Sequence, residues 1–283
     1  MPANLAPLRV ALLQLDLAWC DPEANFDRIR SLCPAPGSAD VLLLPEAFST
    51  GFATPRAREV AVWAPRALDF LKELAAKGDY AVGASVFVPH ESGKVANRFF
   101  WVEPDGHTVS ADKRHLFAVA GEHQDFARGT EAVVVTWCGW RLRLAVCFDL
   151  RFPAWLRNRL GADGQPDYDG LLVVANWPEA RENAWTTLLA ARAMENQCYV
   201  AGVNRVGVDG FGVAHSGASR LIGPWGDLLA ASELHREVLV TAEWDPIHLA
   251  AVRKRFPFLA DQDPFELTGL PPDAKAVPPS SQP

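Results

Sequence analysis

The sequence predicts an α/β protein that contains one mixed sheet, or two sheets covered by helices. Near the start of the chain, short apolar runs rich in Val, Leu and Ala alternate with longer helical patterns, which is typical of βαβ units. The middle of the chain is a run of strand patterns separated by hairpin-like turns such as Pro104-Asp105-Gly106. The chain has 283 residues, of which 49% are hydrophobic and 22% are charged, so it can bury a large core.

The predicted strands are short apolar segments bounded by Gly, Pro, Asp or Asn. Their bounds are Arg9–Gln14, Val41–Leu44, Tyr80–Phe87, Arg98–Glu103, Thr108–Ala111, Ala132–Thr136, Arg141–Val146, Gly170–Ala175, Tyr199–Asn204, Gly212–Leu221 and Glu237–Glu243. The predicted helices lie between and after them. Their bounds are Glu23–Leu32, Pro55–Ala76, Pro153–Leu160, Ala180–Gln197 and Asp245–Arg255. Asp21-Pro22 supplies a cap for the first helix, and Gly78 a stop for the second.

The sequence contains no internal repeat and no clear linker over residues 1–268. We therefore expect a single domain over that range. Residues 269–283 are rich in Pro and Ser and have no apolar period, which predicts a disordered C-terminal tail.

Charge and composition argue against several classes of protein. The net charge is −7, and the Lys and Arg residues form no basic stripe, so we expect no binding to nucleic acid. No apolar run is long enough to span a membrane, and the first ten residues lack the pattern of a signal peptide. The five cysteines are odd in number and irregular in spacing, which indicates reduced thiols in a cytoplasmic protein.

Two candidate catalytic residues follow predicted strands directly. Glu46 comes after the buried-strand pattern of Val41–Leu44, and a carboxylate in such apolar company suits a general base. Cys147 ends the strand Arg141–Val146 and opens a turn before Pro153, as a nucleophile does at an elbow. The amide of Phe148 would then point toward an oxyanion beside the sulfur. Taken singly, the alternatives are an exposed loop carboxylate and a buried structural thiol.

Lys113 is the third candidate, because it follows the predicted strand Thr108–Ala111. A lysine near the thiol could lower its pKa or bind a developing oxyanion, although a solvated surface lysine is the plain alternative. Sites in open α/β sheets gather at the carboxyl ends of strands. The three residues therefore form a coherent set of nucleophile, base and fixed cation.

Three segments of the sequence resemble the signature blocks of the nitrilase, or carbon–nitrogen hydrolase, superfamily. These are Leu43–Glu46 (LLPE), Asp112–Phe117 (DKRHLF) and Val146–Pro153 (VCFDLRFP). The resemblance runs in order from about residue 8 to about residue 268. Further segments that agree are Ala175–Pro178 (ANWP), Ala191–Gln197 (ARAMENQ), Gly217–Ser219 (GAS) and Pro224–Gly226 (PWG).

The resemblance implies a four-layer αββα sandwich with two mixed β-sheets, and a homodimer that packs sandwich against sandwich. It also implies a catalytic triad of Glu46, Lys113 and Cys147, with Glu122 as a second glutamate near the nucleophile; a loop carboxylate is the alternative for Glu122. The stretch from 112 to 122 is most similar to the omega-amidase branch, which hydrolyses the terminal amide of 2-oxoglutaramate or 2-oxosuccinamate. The expected partner is thus a small-molecule amide.

Five further residues are candidates for substrate binding. The Phe148 amide is expected to bind the oxyanion, and Trp177 and Phe48 to form pocket walls. Arg151 and Arg181 are candidates for binding a substrate carboxylate. The expected mechanism uses a cysteine thioester and needs no metal and no organic cofactor, and the histidines show no metal-ligand spacing.

Other interpretations of the same motifs stay open. The substrate could instead be deaminated glutathione, an N-carbamoyl amino acid or a nitrile, since the thiol chemistry is shared. An amide is favoured over a nitrile because no residue indicates the different breakdown of a thioimidate. A non-catalytic scaffold with this fold is the remaining alternative, although all three triad residues are present.

Overall fold

Two six-stranded sheets pack face to face in this computed structural model, which describes residues 5–269, and helices cover their outer faces. The predicted four-layer αββα sandwich is therefore confirmed. Apart from Gly269, the predicted tail over 269–283 lies outside the described residues. None of the helices described between residues 5 and 269 is both long and apolar enough to cross a membrane.

The strands are named here in chain order. They are β1 (Leu8–Gln14), β2 (Val41–Leu43), β3 (Ala81–Pro89), β4 (Val95–Val102), β5 (Thr108–Asp112), β6 (Val134–Trp137), β7 (Trp140–Val146), β8 (Gly170–Val174), β9 (Tyr199–Val203), β10 (Val206–Val208), β11 (Ala214–Ser216), β12 (Arg220–Ile222), β13 (Leu228–Ala231) and β14 (Val238–Trp244).

Each sheet is mixed, with three parallel strands at its centre. The first sheet has the order β14-β1-β2-β3-β4-β5, in which β1, β2 and β3 are parallel. The second has the order β13-β12-β9-β8-β7-β6, in which β7, β8 and β9 are parallel. Strands β10 and β11 form a separate antiparallel hairpin.

The helices are also named in chain order. They are α1 (Pro22–Leu32), α2 (Ala57–Val60), α3 (Ala64–Gly78), α4 (Glu122–Asp125), α5 (Glu182–Asn196) and α6 (Pro246–Arg255). Short 3₁₀ helices span Thr54–Arg56, Ala61–Trp63, Ala118–Ala120, Cys147–Arg151, Glu179–Arg181 and Phe258–Asp261. Asp21 caps α1 and Asp245 caps α6, each accepting a hydrogen bond from a first-turn amide.

Alternation along the inner strands shows how the layers form. In β1, Val10 and Leu12 face the core between the two sheets, whereas Ala11 and Leu13 face the core under α1 and α3. Because successive strand residues point to opposite faces, a strand covered on both sides is apolar throughout. The same rule explains why β2 is apolar along its whole length and why its neighbouring strands are largely apolar.

Two predicted elements differ in the structure. The predicted helix Pro153–Leu160 is absent: irregular turns follow the 3₁₀ helix at Cys147–Arg151, and the Asn158 side chain holds them by bonding to Tyr168 and Asn196. The predicted strand Gly212–Leu221 is two strands, β11 and β12. Gly217 and Ala218 between them have positive φ angles of 83° and 57°, which end the first strand.

Other predictions hold with shifted bounds. The helix predicted over Pro55–Ala76 is divided into four pieces, in the order 3₁₀ turn, α2, 3₁₀ turn and α3. The predicted helix Ala180–Gln197 begins two residues later, after a 3₁₀ turn. Strands β10 and β13 were not predicted, because they are only three and four residues long and their sequences, VGV and LLAA, show no clear alternation of apolar and polar residues.

Candidate active site

Glu46 lies where the carboxyl ends of the parallel strands of the two sheets meet. It follows β2 in the first sheet, and its amide donates to the carbonyl of Ala175 at the end of β8 in the second sheet, over 3.3 Å. In return the Asn176 amide donates to Glu46 Oε2 over 2.9 Å, and the Asn176 side chain donates to the Glu46 carbonyl. The carboxylate is fully buried and is held at this junction by backbone groups.

Lys113 is buried between two carboxylates. Its Nζ lies 2.9 Å from Glu46 Oε1 and 3.0 Å from Glu122. Glu122, at the start of α4, also accepts the Phe117 amide over 2.5 Å. The Phe52 ring lies beneath the ammonium, with its centroid 4.9 Å from Nζ. A buried ion triad of this kind needs such close partners, because an isolated charge could not be desolvated.

Cys147 occupies a sharp turn at the end of β7. Its φ of +43° lies in the left-handed region, which is rare for a residue other than Gly and occurs at strained functional turns. A 3₁₀ helix begins at Cys147, so the first amides of that helix, Phe148 included, have no partner within it. The sulfur lies 3.9 Å from the Asn176 carbonyl oxygen.

The pKa shifts follow from this burial and pairing. Burial raises the pKa of Cys147 well above its usual value, and the charge and hydrogen bonding of Glu46 raise it further, while Lys113 lowers it. The thiol therefore keeps its proton at rest: Lys113 lowers its pKa, in the direction expected from the sequence, but burial and Glu46 raise it more. Burial lowers the pKa of Lys113, but Glu122 and Glu46 raise it more, so the ammonium stays charged.

The pKa of Glu122, the second carboxylate beside Lys113, is also shifted. Burial raises the pKa of Glu122, the charge of Glu46 raises it as well, and Lys113 opposes both effects. Glu46 and Glu122 therefore share the buried Lys113 ammonium, and together they raise its pKa more than either carboxylate would alone.

Asp149 joins the turn of Cys147 to the loop of Lys113. Its Oδ1 accepts the His115 amide over 2.9 Å and lies 2.8 Å from His115 Nδ1. Its Oδ2 accepts the Val146 amide over 3.3 Å. The His115 ring stacks on Phe152 with a centroid distance of 3.7 Å. These contacts give Asp149 and His115 structural roles, since they hold the turn of Cys147 against the loop of Lys113.

Arg151 lies within electrostatic range of the thiol, and Arg181 lies within electrostatic range of Arg151. The Arg151 guanidinium stacks 4.8 Å from the Trp177 ring, and the Trp177 indole donates to the Arg181 carbonyl over 2.8 Å. Burial, then the charge of Arg181, lowers the pKa of Arg151, and the charge of Cys147 raises it. Within residues 5–269, neither guanidinium forms an ion pair with Asp or Glu.

The aromatic candidates are placed differently from one another. Trp177 and Phe148 adjoin the arginines, since the Phe148 ring packs 5.1 Å from Phe117, which lies under Arg181. Phe48 does not lie at the site: it is fully buried in the core under α1 and α3, with its ring 6.0 Å from Phe26. This corrects the expectation of a pocket wall. Phe52, four residues later, reaches Lys113 instead.

Two site residues had no role assigned from the sequence. Asn97 in β4 donates to Glu46 over 2.8 Å and lies 3.4 Å from Glu122 Oε1. Asn176 was noted only as part of a matching segment, yet it holds both Glu46 and Cys147. In the sequence, Asn97 lies just before the predicted strand Arg98–Glu103 and next to a second polar residue, so no local pattern distinguished it.

Comparison with known families decides what this arrangement belongs to. The family described as Carbon-nitrogen hydrolase matches residues 9–254, most of the chain. The chain belongs to the carbon–nitrogen hydrolase family. The resemblance of its sequence blocks to that family is therefore confirmed, and the site lies within the matched residues.

Characterised carbon–nitrogen hydrolases are similar to this chain along nearly their whole length. Omega-amidase YafV of Yersinia enterocolitica is 44% identical, covering 93% of this chain and all of that protein. The 2-oxoglutaramate amidase of Bacillus subtilis is 32% identical, covering 89% of this chain and 96% of that protein. The structure of XC1258 from Xanthomonas campestris, which carries an arsenic adduct in its active site, has a TM-score of 0.89 and 41% identity over 93% of this chain and 99% of that one.

Proposed function

We propose that this carbon–nitrogen hydrolase is an omega-amidase, which releases ammonia from a small carboxylate-bearing amide of the 2-oxoglutaramate or 2-oxosuccinamate type. The observation that carries the chemistry is the buried Lys113 held between Glu46 and Glu122 beside a protonated Cys147 thiol. The similarity to omega-amidases and to a 2-oxoglutaramate amidase supports the substrate class.

The proposed reaction forms and then hydrolyses a thioester. Glu46 takes the thiol proton of Cys147, and the sulfur attacks the amide carbon. Lys113 and the Phe148 amide stabilise the oxyanion of the tetrahedral intermediate. Glu46 returns the proton to the leaving nitrogen, so that ammonia departs and the acyl group stays on sulfur. Glu46 then takes a proton from water, which Glu122 helps to orient, and the water oxygen attacks the thioester carbon. The C–S bond breaks, the acid is released, and Glu46 returns the proton to the Cys147 sulfur.

The two arginines support a substrate that carries a carboxylate. Arg151 presents positive charge within electrostatic range of the thiol, Arg181 adds a second charge near Arg151, and neither forms an ion pair with an acidic side chain among residues 5–269. A guanidinium binds a carboxylate through paired N–H donors. Trp177 fixes both, because it stacks on one guanidinium and binds the backbone of the other arginine. A nitrile would also be attacked by the thiol, but the nitrile group itself gives these arginines no carboxylate to bind.

The oligomer and the location belong to the same proposal. We expect a cytoplasmic homodimer formed through an exposed apolar patch made of Met194, Trp225 and Phe256, which we call the α5–α6 patch. Trp225 and Phe256 pack edge to face with centroids 5.2 Å apart, and Gly226 lies against Met194. Apolar patches of this kind on a domain surface favour protein association.

The substrate class is tested with two amides. We expect Arg151→Met and Arg181→Met each to lower kcat/KM for 2-oxoglutaramate about 10- to 100-fold, since each removes hydrogen bonds to a charged group. A neutral straight-chain amide should lose less than about threefold. Ammonia release measures both.

Arg159→Met is the matched control, because that guanidinium also stacks on an aromatic ring, Phe265, at 4.5 Å. It should leave both rates unchanged. Equal losses for the charged and neutral amides in the Arg151 and Arg181 variants would contradict a carboxylate-bearing substrate. Unchanged turnover in Cys147→Ala would contradict the thiol chemistry itself.

A further inference from the structure

Asn97 contacts both carboxylates of the candidate active site and the backbone of Lys113. Its side-chain nitrogen donates to Glu46 Oε1 over 2.8 Å and lies 3.4 Å from Glu122 Oε1. Its backbone carbonyl accepts the Lys113 amide over 2.9 Å. The residue is fully buried, near the start of β4, where this strand reaches the edge of the sheet that carries the site.

The orientation of this side chain is fixed by charge. Its NH₂ group faces two carboxylates, whereas its Oδ1 has no hydrogen-bond partner among the described residues. The reverse orientation would place the amide oxygen against both carboxylates and leave the donors unused. A buried acceptor without a partner costs free energy, so the two contacts of the NH₂ group must offset that cost.

The donors available to the two carboxylates show what Asn97 adds. An ammonium has three hydrogens, and Lys113 directs two of them at Glu46 and Glu122. The ammonium nitrogen also lies 3.0 Å from Glu122 Oε2, so it is within reach of three carboxylate oxygens. The Asn176 amide donates to Glu46 and the Phe117 amide donates to Glu122. Asn97 adds a neutral side chain that reaches both carboxylates. Asn97 donates to the same Glu46 oxygen that Lys113 binds, and it adds no charge.

We propose that Asn97 is a positioning residue that holds the Glu46 and Glu122 carboxylates around Lys113, so that Glu46 stays aimed at the thiol and the ammonium at the substrate oxyanion. This inference rests on the proposed amidase function. Asn97 acts through Lys113 and Glu46 and contacts no reacting atom itself. Its loss therefore slows the chemical step and leaves substrate binding by the arginines intact.

The test compares two buried asparagines. Asn97→Leu removes both donors at similar volume, and Asn97→Ser keeps one donor with a shorter reach. Asn158→Leu is the matched control, because Asn158 is equally buried and its NH₂ group also makes two hydrogen bonds, to Tyr168 and Asn196, away from the charged cluster. Steady-state kinetics, the alkylation rate of Cys147 by iodoacetamide without substrate, and the melting temperature are measured for each.

We expect Asn97→Leu to lower kcat about 30- to 100-fold with KM changed less than about threefold, and Asn97→Ser to fall between it and wild type. Alkylation of Cys147 should slow about tenfold, because Glu46 is no longer aimed at the thiol. Asn158→Leu should lower the melting temperature at least as much, yet keep kcat within about threefold of wild type.

A loss of kcat in Asn97→Ser no larger than in Asn158→Leu would overturn the inference, as would a rise in KM at constant kcat. Alkylation separates this failure from that of the proposed function, because it needs no substrate. If wild type released no ammonia but Asn97→Ser still slowed alkylation, the positioning role would stand and the omega-amidase proposal would fall.

Discussion

The reactivity of a thiol in this protein depends on its surroundings. Burial raises the pKa of Cys198 just as it raises that of Cys147, and both thiols have charged neighbours. The difference is that Glu46 forms a side-chain hydrogen bond with Cys147, whereas Asp169 and Glu195 act on Cys198 through charge alone. Cys138 is exposed in a turn, and its pKa is also raised. A protonated thiol reacts slowly unless a base removes the proton as the bond forms. Glu46 is therefore what distinguishes Cys147 chemically.

Glu122→Gln tests the second carboxylate at the residue scale. The amide keeps the size of Glu122 but removes its charge, which lowers the pKa of Lys113 toward its ordinary value. We expect kcat for 2-oxoglutaramate to fall about 100-fold or more, mainly because water is no longer oriented for deacylation. Mass spectrometry of the quenched protein should show more acyl-enzyme than in wild type. A variant with wild-type kcat would contradict any role for Glu122 in turnover.

Sequence reasoning found Glu46, Lys113 and Cys147 because each directly follows a strand pattern, where reactive side chains gather. It did not find the role of Asn97, because two carboxylates come within reach of that side chain only once β4 and the loops from β2 and β5 are in place. It misplaced Phe48, since the direction of a side chain just beyond a strand end depends on a backbone turn that no periodicity reports.

At the scale of elements, the β10–β11 hairpin carries a histidine that burial keeps neutral. His215 is 3% exposed, and its Nδ1 lies 3.0 Å from the Val213 carbonyl. Burial, with the charge of Arg205, lowers its pKa to about 4, although Asp209 opposes the shift. The unfolded chain takes up a proton near pH 6.5, whereas the folded chain does so only near pH 4. Stability must therefore fall as the pH decreases through this window.

His215→Gln removes that titration. At pH 7.5 we expect the free energy of unfolding of this variant to lie within about 1 kcal/mol of wild type. At pH 4.5 the variant should gain up to about 3 kcal/mol relative to wild type, because each pH unit of the window contributes about 1.4 kcal/mol. Urea unfolding at both pH values measures this. A difference between the two proteins that does not change with pH would contradict the buried neutral histidine.

The helices with sequence caps were predicted well, and the segments held by side chains were not. Asp21 and Asp245 mark the starts of α1 and α6 in the sequence, and the structure agrees within one residue. Residues 153–160 have a helical pattern, yet the Asn158 amide donates to the Asn196 side chain and the Asn158 side chain donates to the Tyr168 carbonyl, so two distant segments hold them in another conformation. Such long-range competition is invisible to a local pattern.

At the scale of the whole molecule, the two sheets repeat one design. From β14 to β5 and from β6 to β13, each has an antiparallel edge strand, three parallel strands and two more antiparallel strands. The two halves share no visible sequence repeat, so this likeness could not be predicted from the chain. It explains why Glu46 and Cys147, each after a parallel strand of its own sheet, arrive at one edge.

The α5–α6 patch predicts the assembly. Trp225→Glu should convert the proposed dimer to a monomer, because a charge in an apolar contact is left unpaired. Sedimentation velocity at about 10 µM measures the mass. Phe211→Glu is the matched control, since Phe211 is also an exposed aromatic residue but lies on the β10–β11 hairpin. A monomeric wild type, or dissociation by Phe211→Glu alone, would contradict this interface.

The measurement that tests the central claim most directly is the identity of the residue acylated during turnover. Protein quenched with acid while it hydrolyses 2-oxoglutaramate is digested, and its peptides are weighed. Because the carboxylates and the ammonium lie beside the thiol of Cys147, we expect a hydroxylamine-labile acyl group on the peptide that contains Cys147 and on no peptide with another cysteine. Steady ammonia release with the Cys147 peptide unmodified, or undiminished release by Cys147→Ala, would contradict the account.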